Sequence, residues 1–318
     1  MARLTVAIPT YNRRDLMDVV LPPVLAQEFD GELDVVLVDD GSTDGTADHV
    51  RDRWPSVRVV KQDNRGISAA MNRCLEEGAG SDYVALLNND VEVAPGWAAA
   101  IVAALDGDPK AGSATGKMLD YRVRDVLDGA GDEMRWSSGC WRRGHGEPDR
   151  GQFDRQEYVL SPCGGAAVYR RAAIDGVGGF DRDFVAYYED VDWGLRAQLL
   201  GWRCVYVPSA VCFHMGSAST NSSERANEFA MLLRRNGFFL VMKDFPLRAI
   251  VLHLPEIVVH HVGWFVDSVR KGLGVWHLRA FGSALRNAPK MLRKRAAIQR
   301  ARRVDLAYLD SVVTRGRG

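Results

Sequence analysis

Four short apolar runs rich in β-branched residues, Thr5 to Ile8, Val35 to Val38, Val57 to Val60 and Tyr83 to Leu87, alternate with three amphipathic stretches, Arg14 to Ala26, Gly45 to Trp54 and Ile67 to Glu77. A period of two that switches repeatedly to 3.6 is the pattern of strands joined by crossover helices, so the chain is expected to build an α/β fold around a mostly parallel sheet. Ligands of such sheets bind beyond the carboxyl ends of the strands. Polar clusters stand at those ends: Pro9-Thr10-Tyr11-Asn12-Arg13, Asp39-Asp40-Gly41-Ser42, Asp63-Asn64-Arg65-Gly66 and Asn88-Asn89-Asp90.

The pattern weakens from Gly116 to Ser161, where Gly, Arg, Asp and Trp predict loops and short strands facing a substrate. Regularity returns with a strand at Gly165 to Tyr169, a turn at Gly178-Gly179-Phe180-Asp181 and a helix from Asp190 to Leu200 closed by Gly201. Strands at Arg203 to Val207 and Ala210 to His214 follow. Beyond Ser223 only helices are expected: Glu224 to Lys243, Pro255 to Lys271 with a broad apolar face, and Leu278 to Arg295 with one basic side. The expected division is a catalytic unit over 1–223, with a nucleotide-binding half to 115 and an acceptor-binding half from 116, and a helical extension with a basic tail over 224–318.

The formal net charge is zero, which gives no reason to expect nucleic acid, but it hides an uneven distribution. From Lys290 onward nine basic residues stand against two acidic ones, leaving the preceding chain acidic. Five cysteines without a C-x-x-C pair indicate neither a disulfide framework nor a zinc ribbon and suit a reducing compartment. The apolar stretch before Pro9 is too short for a signal peptide, and no run of about eighteen uncharged apolar residues is found.

A dinucleotide-binding turn would place G-x-G-x-x-G after the first strand, yet Pro9 to Arg13 contains no glycine, and a Walker loop is also absent. Acidic strand ends suggest instead that Mg²⁺ or Mn²⁺ handles phosphates, since these ions take carboxylate oxygen together with substrate phosphate. In this order and spacing, Val6 to Arg13, Val38 to Asp44, Asn64-Arg65-Gly66 with Asn72, Leu87 to Asp90, Gly178 to Asp181 and Tyr188-Glu189-Asp190-Val191-Asp192-Trp193 resemble the family-two GT-A nucleotide-sugar glycosyltransferases, especially their rhamnosyltransferase-like branch. The resemblance covers roughly residues 4 to 240.

The resemblance implies a GT-A fold and an inverting, metal-dependent transfer from a dTDP- or UDP-linked sugar, with rhamnose favoured, to a glycan or lipid-linked hydroxyl. It implies that Pro9, Thr10, Tyr11, Asn12, Arg13, Asp40, Asn64, Gly66, Asn72, Asn88 and Asn89 meet the donor nucleotide. Asp90 and His214 hold the metal in that reading, Asp190 is the base, and Gly164, Gly165, Glu189, Asp192 and Trp193 serve the acceptor or support the helix start. Asn88 stands where the family usually has an aspartate and brings no charge, so Asp90 is the direct ligand. Two other readings remain open at this point. One is a non-catalytic sugar-nucleotide or glycan binder, against which Asp90, Asp190 and His214 speak; the other is a sugar-phosphate nucleotidylyltransferase, which wants a glycine-rich first loop. The C-terminal helices are read either as a homodimer or packing element or as a peripheral membrane contact on the cytoplasmic face.

Overall fold

The computed structural model describes residues 1–216 and 223–313. Its elements, in chain order, are β1 (Ala2–Thr10), α1 (Arg14–Leu25), β2 (Gly31–Asp39), α2 (Thr46–Arg53), β3 (Arg58–Lys61), α3 (Ile67–Glu77), β4 (Tyr83–Leu87), β5 (Val91–Val93), α4 (Trp97–Gly107), β6 (Ala111–Asp120), β7 (Leu127–Gly129), β8 (Asp132–Met134), β9 (Cys140–Arg142), β10 (Glu157–Val159), β11 (Ala166–Arg170), α5 (Arg171–Val177), α6 (Glu189–Leu199), β12 (Arg203–His214), α7 (Ser223–Lys243), α8 (Leu247–Arg270), α9 (Gly274–Ala301) and α10 (Leu306–Val313).

The main sheet runs β10-β12-β6-β11-β4-β1-β2-β3. The β4-β1-β2-β3 part is parallel, as the alternating pattern predicts. β11 lies antiparallel between β4 and β6, and β6 pairs in parallel with β12. Central strands buried on both faces read as continuous apolar runs, and Leu4 to Ile8 is buried throughout. One core fills the face under α1 and α4, and a second lies between the opposite face and α3, α5 and α6. These layers carry the strand ends of β1, β2 and β4 to one edge, where the functional side chains collect.

Several expectations are revised. β6, a ten-residue strand in the middle of the sheet, was not expected, because Gly112, Ser113, Thr115 and Gly116 dilute its apolar pattern. Gly116 is needed there, since a Cβ would lie 1.8 Å from the Ala210 carbonyl oxygen on β12. The two strands expected between Arg203 and His214 are one strand, β12, with a register shift between Val207 and Val211. α8 begins at Leu247 and runs through Pro255, whose preference for a first helical turn suggested a start there. By length and composition α8 is apolar enough to cross a membrane, although Arg248, Glu256 and Asp267 interrupt any wholly uncharged run. Residues 217–222, and Arg315 and Arg317 of the basic tail, lie outside the described residues.

The C-terminal helices share a third core with the catalytic layers, in which Phe239, Leu240, Phe245 and Met291 pack against Trp136, Leu160, Val191 and Leu195. An ion network seals this junction. Lys243 of α7 bonds Asp181 Oδ2 at 2.7 Å and also Asp192 on α6, while Arg196 donates to Asp192 Oδ2 at 2.9 Å. Burial opposes the Asp181 charge, but Lys243 and Lys294 outweigh it and hold the carboxyl well below its ordinary range. Stability drawn from Asp181 is therefore present above its unfolded-state pKa, near 3.8, and fades as pH falls through the lower folded value. Lys243→Met leaves the buried Asp192 short of one cation, and should cost about 3–5 kcal/mol in denaturant unfolding at neutral pH; a loss below about 1 kcal/mol would show the network to be dispensable.

Candidate active site

The strand ends are knitted together before any ligand is considered. Asn12, at φ 51°, donates its backbone N–H to Ser42 Oγ at 2.8 Å, and its Oδ1 accepts the Thr43 N–H at 2.7 Å. The turn after β1 is thereby pinned to the loop after β2. Asp40 accepts from Gln62 Nε2 at 2.7 Å, the Arg65 N–H at 3.1 Å and the Gly66 N–H at 3.0 Å. Gly66 sits at φ +83°, a conformation that glycine adopts without a Cβ clash, and this turns its amide toward the carboxylate. Asn89 Nδ2 donates to Thr10 Oγ1 at 3.0 Å. Pro9 is the penultimate residue of β1, Arg13 pairs with Asp15 at 3.2 Å, and Tyr11 and Asn64 are exposed on the same edge.

A cavity of about 300 Å³ opens beside this edge. From the expected set it is lined by Asn88, Gly164, Gly165, Glu189, Asp190 and His214. Pro9 to Arg13, Asp40, Asn64, Gly66 and Asn89 lie outside its lining. Asn72 departs from expectation: its Nδ2 donates to the Phe180 carbonyl at 2.9 Å and its Oδ1 accepts the Phe180 N–H at 2.7 Å. It braces the Gly178 to Asp181 turn. Asp192 and Trp193 are fully buried, the first in the Lys243 network and the second with its indole N–H on the Gly178 carbonyl at 2.9 Å, so neither meets an acceptor and both support α6. Arg170 Nε donates to the Ala111 carbonyl at 2.7 Å, within the sheet.

The glycine pair has a steric reason. A Cβ on Gly164 would lie 2.7 Å from Asp190 Oδ2, and only without it can the Gly164 N–H donate to that oxygen at 3.1 Å. The Val191 N–H supplies Asp190 Oδ1 at 2.8 Å. Burial raises the Asp190 carboxyl above its ordinary value, and these two amides and Arg142 act against the shift. Glu189 is pushed up to about 8 by burial and by the Asp190 charge, and its Oε2 has no partner. Asp132, buried on β8, is raised well above the usual range by burial and then by Asp190. Three carboxyls thus meet on one wall, where burial first and the neighbouring Asp190 charge second push Asp132 upward.

On the other wall His214 Nε2 lies 3.5 Å from Asp90 Oδ2, and its Nδ1 lies 2.9 Å from Asp128 Oδ2. Asp128 also pairs with Arg142. Burial disfavours the imidazolium, yet the bonds to Asp128 and Asp90 prevail and raise His214 to about 9. Among the described residues no three His, Cys, Asp or Glu side chains form a ready metal cage. Asp90 and the His214 Nε2, which would give up its proton to a cation, are nonetheless two hard or borderline donors at one point, and Asp128 fixes the ring from behind as an outer carboxylate does for a ligating histidine. The donor set fits a divalent cation that completes its coordination with diphosphate and water.

Reading from sequence missed Asp128, Asp132, Trp141 and Arg142, all inside the region assigned to loops. The run Asp128-Gly129-Ala130-Gly131-Asp132 was the available signal. It also missed what holds the acidic segment in place. Val185, Tyr187 and Tyr188 have φ of 66° to 67°, a left-handed conformation that side-chain-bearing residues adopt at a cost of roughly 1–2 kcal/mol each. Asn236 of α7, fully buried, offsets this by donating Nδ2 to the carbonyls of Phe184, Ala186 and Tyr187 at 3.0, 2.9 and 2.7 Å. Ser68 of α3 donates to the Val185 carbonyl at 3.1 Å.

Residues 5–178 match the family model described as glycosyl transferase family 2, and the chain belongs to that family. It is 29% identical over 299 residues to the N-acetylglucosaminyl-diphospho-decaprenol L-rhamnosyltransferase of Mycobacterium tuberculosis, covering 87% of this chain and 88% of that one. Among solved structures it is similar to the mannosyltransferase PcManGT from Pyrobaculum calidifontis in complex with GDP-Man and Mn²⁺, with a TM-score of 0.57 and 20% identity over 94% of this chain and 86% of that one. It is also similar to S. aureus TarS 1-349, with a TM-score of 0.59 and 18% identity over 94% and 90% of the two chains. These likenesses show the GT-A fold.

The Glu189 shift carries a sign. Its folded value exceeds the unfolded 4.5, so it destabilises the chain progressively as pH rises between roughly 4.5 and 8. Glu189→Gln should therefore raise the melting temperature at about pH 8 and give no gain near pH 4; an equal effect at both would refute the assignment. Asn236→Ala, which takes the side-chain donor from the Ala186 and Tyr187 carbonyls while Phe184 keeps its bond from Arg235, should cost about 1–3 kcal/mol and open residues 183–188 to proteolysis; unchanged protection would contradict the bracing role.

Proposed function

We propose that this family 2 glycosyltransferase moves a sugar, with rhamnose favoured, from a dTDP- or UDP-linked donor to a hydroxyl of a lipid-linked glycan, with inversion at the anomeric carbon. The observation that carries the reading is the pairing of two walls in one cavity, Asp190 on one and His214 on the other, with Asp90 outside the lining but 3.5 Å from the His214 ring. The activity for which the mycobacterial relative is named supports both the sugar and the lipid-linked acceptor.

In this reading the donor nucleotide lies along the edge from Thr10 to Gly66, and the diphosphate reaches Asn88 and Asp90. Asp90 and His214 hold Mg²⁺ or Mn²⁺, which when bound neutralises charge on the diphosphate. Asp190, its basicity raised by burial, accepts the proton of the acceptor hydroxyl. The hydroxyl oxygen bonds the anomeric carbon as the bond from that carbon to phosphate oxygen breaks, and the nucleoside diphosphate leaves with the electron pair. The two amides on Asp190 fix the direction in which its free lone pairs point. Glu189, raised to about 8 and so largely protonated at neutral pH, supplies an O–H donor for a sugar hydroxyl.

Asp190→Asn should abolish transfer, a loss of at least about 10³-fold, while thermal stabilisation by nucleoside diphosphate with Mn²⁺ persists. Near-normal turnover would remove Asp190 from the role of base. Asp128→Asn should weaken Mn²⁺ affinity by about 10–100-fold in a nucleotide-dependent thermal titration; an unchanged midpoint would exclude Asp128 as the residue that orients His214.

A further inference from the structure

α8 presents two unlike faces. One is buried, with Ala249, Ile257, His261 and Ser268 at helical spacing against α7 and α9. This face is polar where it matters: His261 Nε2 bonds Ser138 Oγ at 3.1 Å, and Ser268 Oγ accepts from Arg234 Nε at 2.8 Å. The other face is bare and apolar, with Val251, Val258, Val259, Val262, Val266 and Val269 between 41% and 71% exposed. α9 continues the surface with Val275, Leu278, Phe281, Leu285 and Leu292, all exposed. The two helices pack on each other, with the rings of Phe265 on α8 and the buried His277 on α9 meeting at 5.3 Å. Soluble monomers seldom expose apolar patches beyond a few hundred Å².

We propose that α8 and α9 form an in-plane docking surface for an anionic lipid bilayer. Charge selects this occupant over a second copy of the chain: between Leu247 and Val313 twelve basic residues stand against four acidic ones. Two such faces pressed together would repel, whereas anionic headgroups attract a basic surface by about 1 kcal/mol per exposed cation. A spanning helix is excluded by the buried polar face, because lipid all round α8 would strip His261 and Ser268 of their partners. Lying flat, the 24 residues of α8 extend about 36 Å along the membrane.

The surface is joined to the cavity. Ser138, bonded to His261, lies in the turn of the β8–β9 hairpin, and Cys140, Trp141 and Arg142 of the same hairpin line the cavity. A headgroup-linked acceptor thus meets the cavity wall within one hairpin of the bilayer. In naming the surface from which the acceptor is reached, this inference rests on the proposed lipid-linked acceptor, but its physical basis is α8 and α9 alone.

The test is flotation of the full chain with vesicles of phosphatidylcholine, alone or with about 30% phosphatidylglycerol, alongside the combined variant Val251→Gln, Val259→Gln and Val262→Gln. These positions are exposed, so the variant should keep its melting temperature. The wild-type chain should float with the anionic vesicles, and the variant's bound fraction should fall by about 10-fold or more. Absence of flotation, or equal flotation of the variant, overturns the inference. So does a wild-type dimer in light scattering that the variant converts to monomer while neither binds vesicles, because a second copy would then cover the face. A chain that binds vesicles but transfers no sugar supports the inference and counts against the proposed reaction instead.

Discussion

The position of α6 depends on the buried charges around Lys243. α6 carries Glu189 and Asp190 at its first turn, and beside the apolar packing of Val191 and Leu195 it is tied to α7 through Asp192, which Lys243 of α7 and Arg196 of its own helix both hold, with Asp181 joined to the same lysine. Apolar packing would tolerate small rotations of the helix about its axis. An ion pair with fixed donors does not, so the rotation of α6 that aims Asp190 at the Gly164 amide is set by atoms on its far side.

The cavity is electrostatically divided. One wall crowds Asp132, Glu189 and Asp190, so that burial and mutual repulsion favour neutral acids. The other sets Asp128 against His214 and Arg142, and the opposite charges favour the ionised forms of Asp128 and His214. Proton acceptance and anion handling require these two conditions, and a uniform environment supplies only one of them. Arg142 lies between them, paired with Asp128 and also opposing the upward shift of Asp190.

The sheet edge was legible because each of its strands announces itself twice, by a β-branched run and by polar residues where the run stops. His214, Asp190 and the glycine pair were singled out beside the motifs, and the structure brings them to one cavity with Asp90 against the His214 ring. β6 was hidden by glycines that a neighbouring strand requires, which from the sequence look like loop residues. Asn72, Asp192 and Trp193 sit inside recognisable motifs yet face inward, because motif spacing does not encode rotation about a helix or turn. Asn236 acts on carbonyls about 50 positions away and leaves no local pattern, while Asp128 acts on a ring 86 positions away and shows locally only as the first acid of a glycine-rich run.

Asn236 grips main-chain oxygens, which are the same whichever residues occupy positions 184 to 187. The shape of the cavity rim is therefore inherited separately from its chemistry. Side chains such as Tyr187, which projects from this held backbone, are free to diverge among descendants of one ancestor without unseating the acid segment behind them. Such a rim can change the side chains it offers to a ligand while the carboxyls behind it stay where they are.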